Sequence, residues 1–354
     1  MSDKITENRY FASANGYSGF RSYFDTVFSL KDYERVFILK GGPGTGKSTL
    51  MKRLAGELSD LSVGIEAYLC SSDTASLDGI SIAVGDKKVA VIDGTMPHIK
   101  DPKLPGAADE IIDLESSFNK VLLTNKRHIL EKHAYSKNRH YKKAYEYLSI
   151  SGEITRCARA EIKERYKRSD KELIKDLLKN LKEGGGVVTE RLLTAFGKKG
   201  FEILDTAEKT LKSVRYIVGV YGSEYIFTSH LRSMLDTLGV DYIRIPSVLN
   251  DADTFGFIFP AIAEAIIINN SQKPSLLPPI DTSTFLVDTS SKSFEPLEFL
   301  WREREAFLWN SADEFKKAAD EHFALEEIYS EAVAFSNNDL IIKETAARIR
   351  EILL

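Results

Sequence analysis

The stretch Arg35-Val-Phe-Ile-Leu-Lys-Gly-Gly-Pro-Gly-Thr-Gly-Lys-Ser-Thr-Leu-Met51 decides how this 354-residue chain is read. Val36 to Leu39 is a short β-branched and aromatic run, which predicts a buried strand. Thr49 to Leu58 is rich in good helix formers, with Leu50, Leu54 and Leu58 four apart, and predicts a helix. Between them, Gly41 to Gly46 followed by Lys47 and Ser48 has the spacing of a phosphate-binding loop. A loop that wraps phosphate must turn successive backbone N–H groups inward, and glycines permit that path without side chains in the way. The helix that follows adds the positive end of its dipole. The expected nucleotide contacts are therefore Gly42, Pro43, Gly44, Thr45, Gly46, Lys47, Ser48 and Thr49, with Lys47 reaching the β- and γ-phosphates and Ser48 binding Mg²⁺. At a glycine usage of about 7%, four fixed positions match by chance in about one chain per hundred of this length. The flanking strand and helix make an accident rarer still.

Val89-Ala-Val-Ile-Asp93 is a second apolar strand, and it ends in an acid. In phosphate-loop proteins such an acid lies beside the loop and holds Mg²⁺, the role expected of Asp93. Gly94 follows, where many motor-type ATPases carry a water-polarising Glu, so a kinase-like or slow switch-like enzyme fits better than a fast motor. Gly64-Ile-Glu-Ala-Tyr-Leu-Cys70 is a further strand, leading into Ser71-Ser-Asp-Thr-Ala-Ser-Leu-Asp78. Strand C-termini in an open parallel sheet face the ligand crevice. Asp73 and Asp78 are thus candidates for orienting water or an acceptor hydroxyl, against the plainer reading of turn and cap residues. His98 follows the Asp93 strand and is a weaker candidate for the same crevice.

Composition narrows the alternatives. Lys plus Arg is 48 and Asp plus Glu is 52, a net charge of −4, which argues against a chain built wholly to coat nucleic acid or an anionic membrane. Two cysteines, Cys70 and Cys157, make no disulfide framework and no zinc spacing. No apolar region follows Met1-Ser2-Asp3-Lys4, and the most apolar run, Phe255 to Ile268, is short and contains Pro260 and Glu264. A cytoplasmic protein without a membrane segment is expected.

Strand-like and helix-like runs alternate to Glu110-Ile-Ile-Asp-Leu114, with Tyr10-Phe-Ala-Ser13 as an edge strand, which predicts an α/β domain with a mainly parallel sheet over residues 1–117. Residues 118–186 are helical in spacing, end in Gly184-Gly-Gly186, and carry 18 Lys/Arg against 9 Asp/Glu over 120–183. Residues 187–290 then repeat the first domain. Asn15-Gly-Tyr-Ser-Gly-Phe20 is echoed by Gly197-Lys-Lys-Gly-Phe201, and Arg35-Val-Phe-Ile38 by Arg215-Tyr-Ile-Val218. Leu231 to Leu235 matches Leu50 to Leu54, Ala265-Ile-Ile-Ile-Asn269 replaces the strand ending in Asp93, and Thr284-Phe-Leu-Val-Asp288 replaces the 110–114 strand. The second loop, Gly219-Val-Tyr-Gly-Ser-Glu224, lacks the lysine and places Glu224 where phosphates would lie, so it is degenerate. Residues 291–354 form a second helical arm; over 281–354 there are 8 Lys/Arg and 16 Asp/Glu. The opposite charges of the two arms suit pairing within one chain or between chains of a homodimer.

Gly41-Gly-Pro-Gly-Thr-Gly-Lys-Ser-Thr49, Cys70-Ser-Ser-Asp73, Ser76-Leu-Asp-Gly79, Asp93-Gly-Thr-Met-Pro-His98 and Pro105-Gly106 with Asp109-Glu-Ile-Ile112 together resemble the tandem phosphate-loop ATPases of Gram-positive bacteria, over nearly the whole chain. The resemblance implies a duplicated three-layer α/β fold and ATP binding with hydrolysis. Both halves of that family carry a phosphate loop, whereas only the first does here.

The resulting expectation is a Mg²⁺-dependent ATP-binding protein that hydrolyses ATP or transfers its γ-phosphate. Lys47 holds phosphate, Ser48 and Asp93 the metal, Asp73 or Asp78 the attacking group, and the helical arm after residue 118 serves as a lid or partner surface. ATP is preferred to GTP because no Asn-Lys-x-Asp run is present. The alternatives are a kinase for an unknown small molecule, with Arg139, Arg156 and Arg159 as lid cations, a non-enzymatic nucleotide switch acting on a protein partner, and a nucleic-acid-associated ATPase using the basic arm and its tyrosines.

Overall fold

The structure, a computed structural model, describes residues 8–61, 64–269, 277–287 and 291–354. The first half runs β1 (Arg9–Phe11), β2 (Ser13–Gly16), β3 (Gly19–Ser22), α1 (Phe24–Val27), β4 (Arg35–Lys40), α2 (Lys47–Glu57), β5 (Gly64–Leu69), β6 (Leu77–Val84), β7 (Lys87–Asp93) and β8 (Asp109–Asp113). An arm of α3 (Lys120–Asn125), α4 (Arg127–Arg165) and α5 (Lys171–Leu178) leads out of it. The second half repeats the plan with β9 (Val188–Glu190), β10 (Thr194–Gly197), β11 (Gly200–Ile203), α6 (Thr206–Thr210), β12 (Ser213–Val218), α7 (Ser223–Thr237), β13 (Tyr242–Pro246), β14 (Thr254–Phe259), β15 (Glu264–Ile268) and β16 (Ile280–Asp281). Its own arm is α8 (Ser291–Ser330) and α9 (Ser336–Leu353).

Each half is one six-stranded sheet, ordered β1-β5-β6-β7-β4-β8 in the first and β9-β13-β14-β15-β12-β16 in the second. Three of the five pairings in each are parallel; β6 and β14 run antiparallel to both neighbours. The β6 strand is absent from the sequence reading, although the Gly85-Asp86 turn marks a two-residue hairpin into β7. Val36 to Leu39 are fully buried, as a strand with parallel neighbours on both edges requires. Two further expectations shift. The strand expected at Thr284–Asp288 is instead Ile280–Asp281, with Thr282–Phe285 a 3₁₀ turn capped by the Asp281 carboxylate; Asp288 lies outside the described residues, as do Met1 to Lys4. α7 aligns with α2 by its start, since Gly46 and Gly222 are both left-handed caps; Ser223 therefore corresponds to Lys47, and Leu231 to Ala55 rather than to Leu50.

The arms are exchanged. α4 and α8 pack antiparallel along their length, tied by Lys126–Glu331, His133–Glu321 at 2.6 Å, His140–Glu314 at 2.6 Å and the Ser311 hydroxyl on the Ala144 carbonyl. The charge complementarity read from sequence is thus used within the chain. Each arm then ends on the other half. α9 buries Ile342, Ala346, Ile349 and Leu353 in the first core beside Leu50, Met51 and Leu54. α5 buries Ile174 and Leu178 in the second core beside Phe227, Leu231 and Leu235. Each large apolar side chain so buried is worth about 1.5–3 kcal/mol, so each half depends on the other for its outer layer. The hairpins cross over as well: the Phe11 N–H donates to the Leu192 carbonyl, and the Asn15 amide donates to the Phe196 carbonyl.

Candidate functional site

The Gly41–Gly46 loop leaves the buried strand β4 and enters α2. Gly44 (φ 70°) and Gly46 (φ 84°) are left-handed, the backbone that turns successive N–H groups inward. A Cβ at Gly44 would also lie 2.5 Å from the Glu326 carbonyl oxygen, so both conformation and close approach demand glycine. Thr45 is buried, and its hydroxyl donates to the Gly42 carbonyl at 2.9 Å. The Lys47 ammonium donates to the Gly41 and Gly42 carbonyls at 2.8 and 3.0 Å and lies 3.6 Å from the Asp93 carboxylate. The Ser48 hydroxyl accepts from the Leu77 N–H at 3.0 Å, which aims it at the β6 side of the crevice. Gly42 lies beside Tyr329, Pro43 is half-buried between the glycines, and Thr49 is exposed on the first turn of α2.

The parallel register sets Leu39 beside Asp93, so the acid stands at the mouth of β7 next to the loop. One Asp93 oxygen accepts from the Thr95 N–H and hydroxyl at 2.9 and 2.6 Å, leaving the other towards Lys47. Asp78 occupies the β-bulge of β6, 5% exposed, with Oδ2 lacking any hydrogen-bond partner. Burial, reinforced by the charge of Asp93, pushes its carboxyl up to about 8. His98 joins them: it stacks on Phe24 at 4.4 Å and lies 3.9 Å from Asp78, burial pushes its imidazole below the ordinary value, and neither ring nitrogen has a hydrogen-bond partner. Asp73 stands apart on the outer rim, 3.2 Å from the ammonium of Lys198. The two acids that the sequence offered as equivalents are thus a buried one without a partner on Oδ2 and a part-exposed one paired with a lysine.

Ser48, Asp93 and Asp78 offer oxygen atoms, the donor type that suits Mg²⁺, and Asp78 Oδ2 has no hydrogen-bond partner. Among the described residues no cluster of three or more His, Cys, Asp or Glu has metal-site geometry.

The roof comes from the other half. The end of α8 lies across the loop: burial lowers His322, while burial raises Glu326 against the pull of Lys47 and the Gly44 amide. Beyond it the Asn338 amide donates to the Thr45 carbonyl at 3.0 Å. Lys137 of α4 is near enough to act on both His322 and Glu326. The lid expected from the arm after residue 118 is therefore mainly the C-terminal arm. The α8 and α9 roof residues and Lys198 escaped the sequence reading because they lie about 150 to 290 residues from the loop. Only the repeated hairpin Gly197–Phe201 hinted at them.

The second crevice shows the same plan with different side chains. Four residues, 219–222, join β12 to α7, against six, 41–46, from β4 to α2. By register, Ser223 stands for Lys47, Glu224 for Ser48, Phe255 for Asp78 and Ile268 for Asp93. Glu224 is buried, its Oε2 has no partner, and burial raises its carboxyl. Beside it is a recess lined by Tyr17, Tyr225, Trp301, Arg159 and Arg304, with Arg159 held in a two-pronged pair by Asp253 at 2.8 and 2.6 Å.

Two other expectations lose their geometry. Arg159 lies at this second crevice, Arg156 is exposed and paired with Glu153, and Arg139 is exposed, so they make no cationic lid over the Gly41–Gly46 loop. Tyr141 and Tyr145 pack edge-on against Phe315, and Tyr147 meets Phe307, so three of the four tyrosines between 135 and 147 serve helix packing; Tyr135 is exposed. No described helix is long and apolar enough to cross a membrane. Comparisons of the chain with protein-family models, with curated proteins and with solved structures gave no match.

Proposed function

We propose that the first crevice binds Mg-ATP and that the protein hydrolyses it or transfers its γ-phosphate, in a three-layer phosphate-loop fold whose second copy has lost the loop. One observation carries this reading: a left-handed glycine pair, the Lys47 ammonium and the Asp93 and Asp78 carboxyls converge at the C-terminal end of one parallel strand pair. The loop amides and Lys47 cradle the phosphates, with the ammonium exchanging the Gly41 and Gly42 carbonyls for phosphate oxygens. Ser48 and Asp93 would hold Mg²⁺, which when bound neutralises charge on the phosphate oxygens. Asp78 keeps a proton at neutral pH and is able to give it up as a cation approaches, while Asp73, paired with Lys198 at the rim, orients the attacking group.

Lys47→Ala tests this. ATP affinity, measured by isothermal titration in Mg²⁺, is expected to fall at least about 100-fold, with ADP release lost in parallel. Unchanged affinity ends the proposal. A second reading has its own support: the roof of Glu326, Tyr329 and Asn338 presses on the loop, so nucleotide entry shifts the arm and makes the protein a slow nucleotide-governed switch. Negligible turnover with an ATP-dependent change in protease sensitivity near residues 322–338 would select it over an ATPase.

A further inference from the structure

The second half has lost its loop lysine and both acids, yet it keeps the β10–β11 hairpin and delivers that hairpin's tip to the intact site. Gly197 is pressed so closely on the Ser71–Ser72 backbone that a Cβ there would lie 2.9 Å from the Ser71 carbonyl. The tip is fixed further by the Thr74 hydroxyl on Glu202 at 3.2 Å. The next residue, Lys198, is 19% exposed, 3.2 Å from Asp73, and lies over the Phe323 ring at 5.0 Å. Its charge also acts on Glu326, the roof carboxyl that feels Lys47 and the Gly44 amide. Lys198 therefore belongs to the same crevice as the loop, beside the 71–78 segment that Lys52 and Ser48 tie to α2. At the matching position of the first hairpin stands Tyr17, which lines the second crevice instead. The hairpins are exchanged, and the tip position carries a lysine towards the first crevice and a tyrosine towards the second.

We infer that Lys198 is a catalytic cation supplied by the degenerate half: its ammonium binds the γ-phosphate of ATP held on the Gly41–Gly46 loop, and the second half is retained as a built-in activator. The inference rests on the ATP reading above. In the hydrolysis it assists, the Pγ–O bond to the β-phosphate breaks, a Pγ–O bond to water forms, and the water's proton ends on inorganic phosphate or in solvent. Lys198 keeps all its protons and contributes charge alone, the role an arginine finger plays when a partner protein supplies it. The Asp73 partner holds the side chain until phosphate arrives.

The test uses the full chain with Lys198→Ala, Lys198→Arg and, as a control, Lys199→Ala, whose own side chain is exposed and paired with Glu202. ADP release and the separate affinities for ATP and ADP are measured in Mg²⁺. Losing one such charge is expected to lower kcat about 100- to 1,000-fold in Lys198→Ala, with Lys198→Arg recovering part of it. ADP affinity stays within about twofold, because ADP has no γ-phosphate to lose a contact. Lys199→Ala matches the parent. A Lys198→Ala protein with parental turnover overturns the inference and leaves the ATP reading standing. So does one that loses ATP and ADP affinity equally, since that marks a merely structural lysine. If the parent binds ATP without hydrolysing it, the ratio of ATP to ADP affinity decides: the inference requires that ratio to fall in Lys198→Ala. If the parent binds no nucleotide, the ATP reading falls first and the inference with it.

Discussion

The two crevices share strand order, the β-bulge before the antiparallel strand, and a left-handed glycine cap, yet their side chains differ at each chemically decisive place. Lys47, Ser48, Asp78 and Asp93 in the first correspond to Ser223, Glu224, Phe255 and Ile268 in the second. The framework has been kept where it buries apolar surface, and the chemistry has been kept once. What preserves the second half is then its service to the first: the helix α9 on the first core, the roof at residues 322–338 and the Lys198 hairpin all come from it.

The largest expected effect attacks that dependence. A chain ending at residue 335 lacks α9 and leaves the first core open at Leu50, Met51 and Leu54. Hydrogen exchange is expected to become rapid over residues 47–57 while residues 223–237 keep their protection, because α5 still covers the second core. The point variant Ile349→Ala, at a fully buried position, should cost about 2–5 kcal/mol. Parental protection over 47–57 in the shortened chain would break the exchange of outer layers as an account of stability.

That exchange also marks where sequence reading stops. β4, α2, β7 and the edge strand at Tyr10 were legible because each signal is local: a buried apolar run, leucines four apart, an acid at a strand end. β6 was missed because Asp78 lies at a bulge, where alternation breaks, and the eye takes Ser71 to Asp78 as one polar loop. Thr284 to Asp288 looked like a strand by composition, but β16 pairs through only two residues, Ile280 and Asp281, before the Asp281 side chain caps a turn. Lys47, Ser48 and Asp93 were readable from their spacing. No local pattern says that Ile349 is buried on Leu54's half of the molecule, or that Lys198 lies beside Asp73, since those contacts are set by the crossing of α4 and α8.

A middle-sized effect separates the crevices by pH. Asp78 has its carboxyl raised to about 8 in the folded protein, against about 4 when unfolded. Between those values the folded state holds a proton that the unfolded state has released, so stability falls as pH rises through that window. Asp78→Asn should therefore raise Tm at pH 8 by several degrees and flatten the decline between pH 5 and 8, measured by calorimetry. Glu224, raised by burial in the second crevice, carries the same sign, so Glu224→Gln removes a separate part of the slope. Only Asp78→Asn is expected to weaken ATP binding. If Glu224→Gln weakened it as much, the assignment of nucleotide to the first crevice alone would fail.

The smallest effect concerns the clasps that hold the exchanged helices. α9 is clipped to the first half by exposed pairs, Arg53–Asp339 at 2.5 Å and Arg350–Asp60 at 2.6 Å, and the Arg350 hydrogen bond holds the Asp60 carboxyl below its ordinary value. α5 is clipped to α7 by His230, whose Nδ1 lies 2.8 Å from the Asp170 carboxylate that also accepts from the Tyr166 hydroxyl. The hydrogen bond to Asp170 raises His230 above its ordinary value, so this clasp is at full strength below about pH 6.5 and is lost as pH rises through the raised value. His230 is half exposed, which limits the clasp to about 1 kcal/mol or less. His230→Gln should speed exchange over residues 223–237 at pH 6, and correction for intrinsic exchange should show the difference vanishing by pH 9. Arg53→Ala should loosen residues 47–57 by a similar amount at both pH values. The first half, which holds the proposed nucleotide crevice, is thereby fastened by arginine–carboxylate pairs, and the second by a pair that contains a histidine. If both variants followed the same pH course, that asymmetry would be lost while the larger contrast between the crevices stood.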